Sequence, residues 1–132
     1  MSEAKFAKIN FLVRDSQAAF DYALKVLGAD TVMEPHETPI GLVGQANLSG
    51  LVMEFIQPPN GSRMEAMIDK RGEGIDSIGL ATDDVAGVSA EIEARGGRFV
   101  RPSEEGMTST AWLHPKNPLS LSIELFTSGA AD

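Results

Sequence analysis

The chain has 132 residues, a length typical of one domain built around one core. Its composition, 42% apolar and 23% charged, is that of a globular protein, and no apolar run approaches the roughly 18 residues of a membrane-spanning helix. The net charge of −8 disfavours nucleic acid and anionic lipid as partners, and the absence of cysteine excludes disulfides and thiolate metal ligands.

The first ten residues, MSEAKFAKIN, lack both the apolar core and the small-residue cleavage site of a secretory signal. We therefore expect a cytoplasmic protein that does not enter the membrane. Histidine is scarce, since only His36 and His114 occur. Any metal site would have to be built mostly from oxygen ligands.

The first part of the chain predicts a strand, a helix and three further strands. Residues 7–13 alternate two sets of side chains, which indicates a strand with one face towards a helix. Asp15 or Ser16 caps the helix that follows, and Gly28 ends it. The next extended segments are 31–34, 41–47 and 51–57, with a Pro-bracketed loop at 34–39 and a hairpin turn at 48–50.

The second part repeats this order after a segment with a short helix over 63–70. A strand over 76–82 leads to the cap Asp83-Asp84 and a helix that ends at Gly96-Gly97. The extended segments that follow are 98–101, 109–114 and 119–127, with a turn at 115–118.

The two parts are an internal repeat, because a constant shift of 69 residues places Ile9 on Ile78 and Gly28 on Gly97. Each half has only about 55 residues and would bury little surface alone. We therefore predict a single domain over 1–132. Its first module covers about 7–58, a linker helix lies within about 59–74, and its second module covers about 75–127.

Four segments carry a resemblance to a known family. They are DKRGEGI at 69–75, the pair Asp83-Asp84, LHPK at 113–116 and SIEL at 122–125. In this order they resemble methylmalonyl-CoA epimerase-like members of the vicinal oxygen chelate superfamily, which includes glyoxalases, bleomycin resistance proteins and dioxygenases. The resemblance covers about 7–127. It implies an α+β fold in which two tandem βαβββ modules form a curved eight-stranded sheet that encloses a pocket.

The family's metal-ligand positions correspond by resemblance to Lys8, Glu54, Ser77 and Glu124. Both carboxylates are present, whereas the family's two histidines are replaced. The ammonium of Lys8 has no lone pair and would compete with a metal ion for the carboxylates. We therefore expect no metal and no other cofactor, with Lys8 supplying positive charge. Mg²⁺ held by Glu54, Glu124 and water is the alternative.

These positions suit enolisation chemistry, in which a base removes a proton next to a carbonyl and a cation stabilises the enolate. We assign Glu124 as the base and Lys8 as the electrophile, which pairs with Glu54, Glu124 or both. Ser77 is assigned as a further donor. The expected substrate is a small carbonyl compound or an acyl thioester. Glu37 is the nearest counterpart of the family's second acid.

Further substrate contacts are predicted from alternation along the strands and from the resemblance. Asn10 and Phe126 should share the inner face with the four ligand positions. Trp112 either stacks on the substrate or packs beneath a helix. His114, with Lys116, Lys70 and Arg71, either offers positive charge to coenzyme A phosphates or packs its ring against its own turn.

Two other functional classes remain open beside the isomerase or epimerase. One is a lyase or ring-opening isomerase that uses the same pocket. The other is a non-catalytic protein that binds and sequesters a small molecule, in which Lys8 and the carboxylates form a structural ion pair. An extradiol dioxygenase is disfavoured because its iron needs two histidines and a carboxylate. The resemblance also implies a homodimer.

Overall fold

The computed structural model describes residues 3–100 and 110–127. Two compact units make up the chain. One unit is Lys8–Asp76, and the other joins the residues before Lys8 to those from Ser77 onward. Within the described ranges no helix is long and apolar enough to cross a membrane.

The unit Lys8–Asp76 contains two helices, and its strands lie in the order β2-β3-β4-β1. β1 pairs in parallel with β4, and β3 pairs antiparallel with both β2 and β4. The bounds of these elements are β1 Ala4–Leu12, α1 Ser16–Lys25, β2 Asp30–Thr38, β3 Gly41–Leu48, β4 Leu51–Gln57 and α2 Arg63–Arg71.

The unit that starts at Ser77 has the strand order β5-β8-β7-β6. β5 pairs in parallel with β8, and β7 pairs antiparallel with β8 and β6. Its elements are β5 Gly74–Thr82, α3 Val85–Ala94, β6 Phe99–Val100, β7 Thr110–Leu113 and β8 Ser122–Thr127. The predicted α+β class, with the order strand, helix and three strands in each half, is confirmed. Arg101 and Ser109 of the predicted strands lie outside the described residues.

Both module helices begin with the same cap. Asp15 accepts a hydrogen bond from the backbone N–H of Ala18 at 3.0 Å, and Asp84 accepts one from Gly87 at 2.9 Å. The Asp84 carboxylate lies so close to Gly87 that a Cβ atom there would collide with it. The repeat recognised in the sequence therefore extends to the hydrogen bonds at its helix starts.

α1 and α2 cover opposite faces of the same sheet. α1 buries Phe20 and Ala23 against Ala46, Met53 and Phe55. On the other face, Ile68 of α2 packs with Leu12, Val43 and Ile56. Each cluster gains the free energy of removing apolar surface from water, roughly 25 cal/mol per Å². The second cluster forms an apolar floor beside the polar side chains described below.

The predicted loop at 34–39 is wrong, because β2 continues through it to Thr38. The register of β2 against β3 shifts between Met33 and His36, where Pro35 stands. β2 is the outermost strand of its unit and pairs with a neighbour on one side only, and proline is tolerated in such strands and at irregularities of register. Gly44 also permits this path, since a Cβ atom there would lie 2.9 Å from the Pro35 ring.

The start of the last strand was also predicted too early, at 119 instead of Ser122. Asn117 stabilises a longer turn: its amide nitrogen donates to the carbonyls of His114 and Leu121, and its oxygen accepts from the Leu119 N–H. Leu119 is 70% exposed. Side-chain hydrogen bonds of asparagine to nearby backbone thus outweigh the β propensity of this segment.

Candidate functional site

A buried polar cluster lies on the face of the first unit that α2 covers. It consists of Lys8, Asn10, Gln45 and Glu54, of which none is more than 8% exposed. Strand register brings these residues together, since Glu54 is paired with Asn10 on one side and with Gln45 on the other. Paired residues point to the same face of a sheet. Lys8 lies two positions before Asn10 on the same strand, so its side chain points to that face as well.

The next row of residues along the same face is apolar. Ile56 is paired with Leu12 and with Val43, and all three are almost fully buried. The polar row and the apolar row therefore lie next to each other on one face, separated by two residues along each strand. This arrangement places charged groups directly beside hydrocarbon, where electrostatic interactions are stronger than in water.

Glu54 is the centre of the cluster. The Lys8 Nζ donates to Glu54 Oε1 at 3.1 Å, and the Gln45 Nε2 donates to the same oxygen at 2.6 Å. A carboxylate that is 2% exposed has lost most of its hydration, so these donors replace the water it would otherwise bind. Burial of the pair is tolerated because each charge offsets the other.

Sequence reasoning identified Lys8, Asn10 and Glu54 but missed Gln45. A signal for Gln45 was present in the hairpin between β3 and β4. Its turn at Ser49-Gly50 pairs Leu48 with Leu51, and counting back three residues on one strand and forward three on the other pairs Gln45 with Glu54. The turn therefore predicts that Gln45 and Glu54 are neighbours across the two strands, whereas the atoms that meet are known only from the structure.

The second unit presents a related face around Glu124, which is 9% exposed. Glu124 is paired with Gly79 on β5 and with Trp112 on β7. Ser77 is fully buried on the same face, two residues before Gly79, and Phe126 lies two residues after Glu124. Ser77, Glu124, Trp112 and Phe126 therefore share one face, as alternation predicted.

The position of Trp112 bears on its two predicted roles. Its neighbours Ala111 and Leu113 belong to the apolar cluster with Val85 and Val88 of α3. Because side chains alternate along a strand, Trp112 points to the face opposite that helix. The structure therefore does not place Trp112 beneath α3, and it leaves the indole beside Glu124.

Glu37 does not join the buried polar cluster. It is exposed, is paired with Leu42, and lines a shallow cavity of about 240 Å³ together with Gln57 and Asn60. His36 is also exposed and donates from Nδ1 to the carbonyl of Glu34 at 3.0 Å. The extended path of β2 accounts for both positions, since it carries these residues along the edge strand.

His114 is held by its own turn. Its Nδ1 accepts a hydrogen bond from the Lys116 N–H at 3.0 Å, and its backbone N–H donates to the Arg98 carbonyl at 2.8 Å. These contacts are those of a ring packed against the turn. In the first unit, Arg71 donates to Asp76 at 2.9 Å, so its guanidinium is engaged by a carboxylate of its own chain.

A further ion pair of the first unit lies at the surface. Arg14 donates from Nη2 to Asp69 at 2.8 Å, and this hydrogen bond raises the pKa of Arg14 above its ordinary value. A raised pKa of a base adds stability that is lost only when the pH rises through that pKa. Arg14 therefore stays protonated and adds no pH dependence near neutrality.

The donors of the buried polar cluster do not suit the divalent metal that the family pattern implies. One carboxylate and two amides are present, and the Lys8 ammonium already occupies the Glu54 oxygen. Zinc, cobalt and nickel sites rely on imidazole, thiolate or carboxylate donors. Among residues 3–100 and 110–127, no three His, Cys, Asp or Glu side chains are grouped as a metal site.

Comparison with known proteins gives one family. The model of the glyoxalase/bleomycin resistance protein/dioxygenase superfamily matches residues 8–125. No curated protein matches the chain at a significant level.

Solved structures share the fold at low sequence identity. A hypothetical protein from Bacillus halodurans C-125 is 17% identical, with a TM-score of 0.82 and 98% coverage of both chains. A variant of Streptomyces coelicolor methylmalonyl-CoA epimerase in complex with 2-nitronate-propionyl-CoA is 24% identical, with a TM-score of 0.77 and 99% coverage of both. A methylmalonyl-CoA epimerase in complex with methylmalonyl-CoA and NH₄⁺ gives the same identity, TM-score and coverage.

Proposed function

The chain belongs to the glyoxalase/bleomycin resistance protein/dioxygenase superfamily, and on this basis we propose that it is an isomerase- or epimerase-like enzyme. It enolises a small carbonyl compound or acyl thioester by acid-base chemistry without a metal ion. The observation that carries this proposal is the contact of Lys8 with Glu54 at a position where the family pattern places metal ligands.

The Lys8 ammonium is suited to replace part of the charge of a metal ion. It is held within a few ångströms of a defined carboxylate oxygen, and it is only 6% exposed. In such surroundings a fixed cation stabilises a developing oxyanion more strongly than it would in water. Lys8 is therefore assigned as the electrophile.

An ammonium ion also occurs in the structure of a solved relative. One methylmalonyl-CoA epimerase structure contains both methylmalonyl-CoA and NH₄⁺. The side chain of Lys8 ends in a cation of the same chemical kind, attached to the protein. We propose that this tethered ammonium serves the substrate's carbonyl oxygen.

Proton transfer is assigned to Glu124. Its carboxylate takes the proton from the carbon next to the carbonyl, and the electron pair of that C–H bond moves to form the enolate. Return of a proton to the opposite face of the same carbon completes an epimerisation, and its return to a different atom of the enolate completes an isomerisation. Neither changes the oxidation state. Ser77 is proposed as a further donor, and Asn10, Trp112 and Phe126 are proposed substrate contacts.

Hydrogen exchange in D₂O tests this function. Wild-type protein is incubated with a panel of acyl thioesters and ketones, and deuterium uptake at the α-carbon is followed by NMR. We expect uptake that depends on enzyme concentration and falls by about a hundredfold in Glu124→Gln, as is typical for loss of a general base. Glu34→Gln, which changes an exposed carboxylate, should exchange like wild type.

The closeness of the Lys8–Glu54 contact also favours a second candidate, a protein that binds a small molecule without turnover. In that case the two charges are a structural pair. Tight binding of a panel member without deuterium uptake would identify this function. A lyase or ring-opening isomerase would instead yield a new product.

We also propose a cytoplasmic homodimer, for which light scattering after gel filtration would give a mass twice that of the chain.

A further inference from the structure

Three charged side chains are buried in the described part of the chain, Lys8, Glu54 and Glu124. In the first unit, the charges of Lys8 and Glu54 cancel. A divalent metal with the family's neutral histidines would bring two positive charges to its site, whereas this chain supplies one, already paired with Glu54.

We propose that the reacting end of the substrate is electrically neutral and carries no carboxylate next to the acidic carbon. This inference rests on the proposed function and names its substrate class. This class includes ketones, keto esters, lactones and thioesters in which any further group that acidifies the α-carbon is uncharged. The proposal excludes malonyl-type thioesters that carry a free carboxylate.

The paired state of Lys8 is the first argument. A buried anion is stable only when a cation or several donors compensate its lost hydration. A substrate carboxylate that bound to the Lys8 ammonium would have to compete with Glu54, whose Oε1 lies 3.1 Å from Lys8 Nζ. The like charge of Glu54 would also repel it, since Coulomb repulsion is strong in a site of low dielectric.

Gln45 supplies the second argument. Its 2.6 Å hydrogen bond to Glu54 Oε1 holds the same oxygen that contacts Lys8. Turning the carboxylate away from Lys8 would break both hydrogen bonds at once. Since Glu54 is 2% exposed, no bulk water is available to replace them. The carboxylate is therefore held in place, and its negative charge stays beside any ligand that reaches Lys8.

A neutral carbonyl makes better use of the same arrangement. It brings no charge into the site when it binds, and it develops negative charge on oxygen only as the proton leaves carbon. Lys8 then interacts more strongly with the transition state than with the bound substrate, which is the condition for rate enhancement.

A matched pair of thioesters tests the inference. Methylmalonyl-N-acetylcysteamine is compared with its methyl ester, which has the same skeleton but no free carboxylate. Deuterium uptake at the α-carbon gives kcat/KM for each, and each value is divided by the uncatalysed exchange rate in the same buffer. We expect wild-type protein to favour the ester by about tenfold or more, given the repulsion between unit charges at this range.

Removal of the counter-charge gives a second comparison. Glu54→Gln removes the negative charge that repels a substrate carboxylate, so the preference for the ester should fall by about tenfold. Glu34→Gln removes an exposed charge from the same unit and should keep the wild-type preference. The wild-type comparison does not depend on whether Glu54→Gln folds.

The possible results distinguish a failure of the neutral-substrate inference from a failure of the proposed enolisation. Exchange that favours the free acid, or shows no preference, overturns the neutral-substrate inference and leaves enolisation intact. An unchanged preference in folded Glu54→Gln overturns the role of Glu54 as the excluding charge. Absence of exchange with both thioesters and with the whole carbonyl panel overturns the proposed function and this inference together.

Discussion

Gln45 donates from Nε2 to Oε1 of Glu54 at 2.6 Å, across the antiparallel pair β3–β4. The contact joins a neutral amide to a buried carboxylate whose same oxygen accepts from Lys8 at 3.1 Å. Hydrogen bonds to charged groups are among the stronger ones in proteins. The geometry of the candidate site therefore depends on a residue that carries no charge itself.

Replacement of Gln45 by leucine should destabilise the protein by about 1–3 kcal/mol, because Glu54 loses a donor in a place that water does not reach. Urea unfolding followed by circular dichroism measures this change. Gln17→Leu is the matched control, since Gln17 is exposed on α1 and its change should stay within about 0.5 kcal/mol. Equal effects of the two variants would contradict the role assigned to Gln45.

Replacement of Lys8 by methionine should cost about 3–5 kcal/mol of unfolding free energy, since it leaves the charge of Glu54 buried without its counter-ion. The double variant Lys8→Met with Glu54→Gln contains neither charge. It should be more stable than Lys8→Met alone, and a double-mutant cycle would give the coupling energy. Strict additivity of the two single changes would show that the contact contributes nothing to stability.

A histidine at position 8 should restore divalent metal binding. Lys8→His removes the competing ammonium and offers an imidazole beside the Glu54 carboxylate and the Gln45 amide oxygen. Calorimetric titration with Zn²⁺ or Co²⁺ should show an affinity at least about tenfold above wild type. Lys5→His, an exposed position on the same strand, should show no such gain.

Metal analysis of the purified wild-type protein is the companion measurement. We expect no stoichiometric transition metal, because the Lys8 ammonium competes for Glu54. Stoichiometric Zn²⁺, Co²⁺ or Ni²⁺ would overturn the account of Lys8 given above. Mg²⁺ bound through carboxylates and water would appear in the same analysis.

The two helix caps should contribute equally to stability. Asp15→Ala and Asp84→Ala each remove a side-chain acceptor from the first turn of a helix, at a cost of about 1 kcal/mol. Asparagine at either position keeps the acceptor and should retain most of the stability. Thermal unfolding of the four variants tests this, and a loss at only one cap would show that the repeat is not energetically symmetric.

Local rules made much of the fold predictable. The start of α1 at Ser16 and of α3 at Val85 follow from capping aspartates, and β4 has the predicted bounds Leu51–Gln57. These features depend on residues within a few positions of each other. The extension of β2 through Pro35 did not follow from such rules, because it depends on an outermost strand and on the space that Gly44 leaves.

The sequence by itself determined the repeated strand-helix-strand order, and the resemblance of its motifs led us to expect Lys8, Glu54, Ser77 and Glu124 at the family's ligand positions. Alternation and capping operate over short distances, so they can be read from residue order. Only the tertiary structure decided that Lys8 and Gln45 meet on one oxygen of Glu54 and that Glu37 lies elsewhere on an edge strand. The contact of Lys8 with Glu54 joins residues 46 positions apart in the chain, and the pairing of β1 with β4 together with burial brings them together.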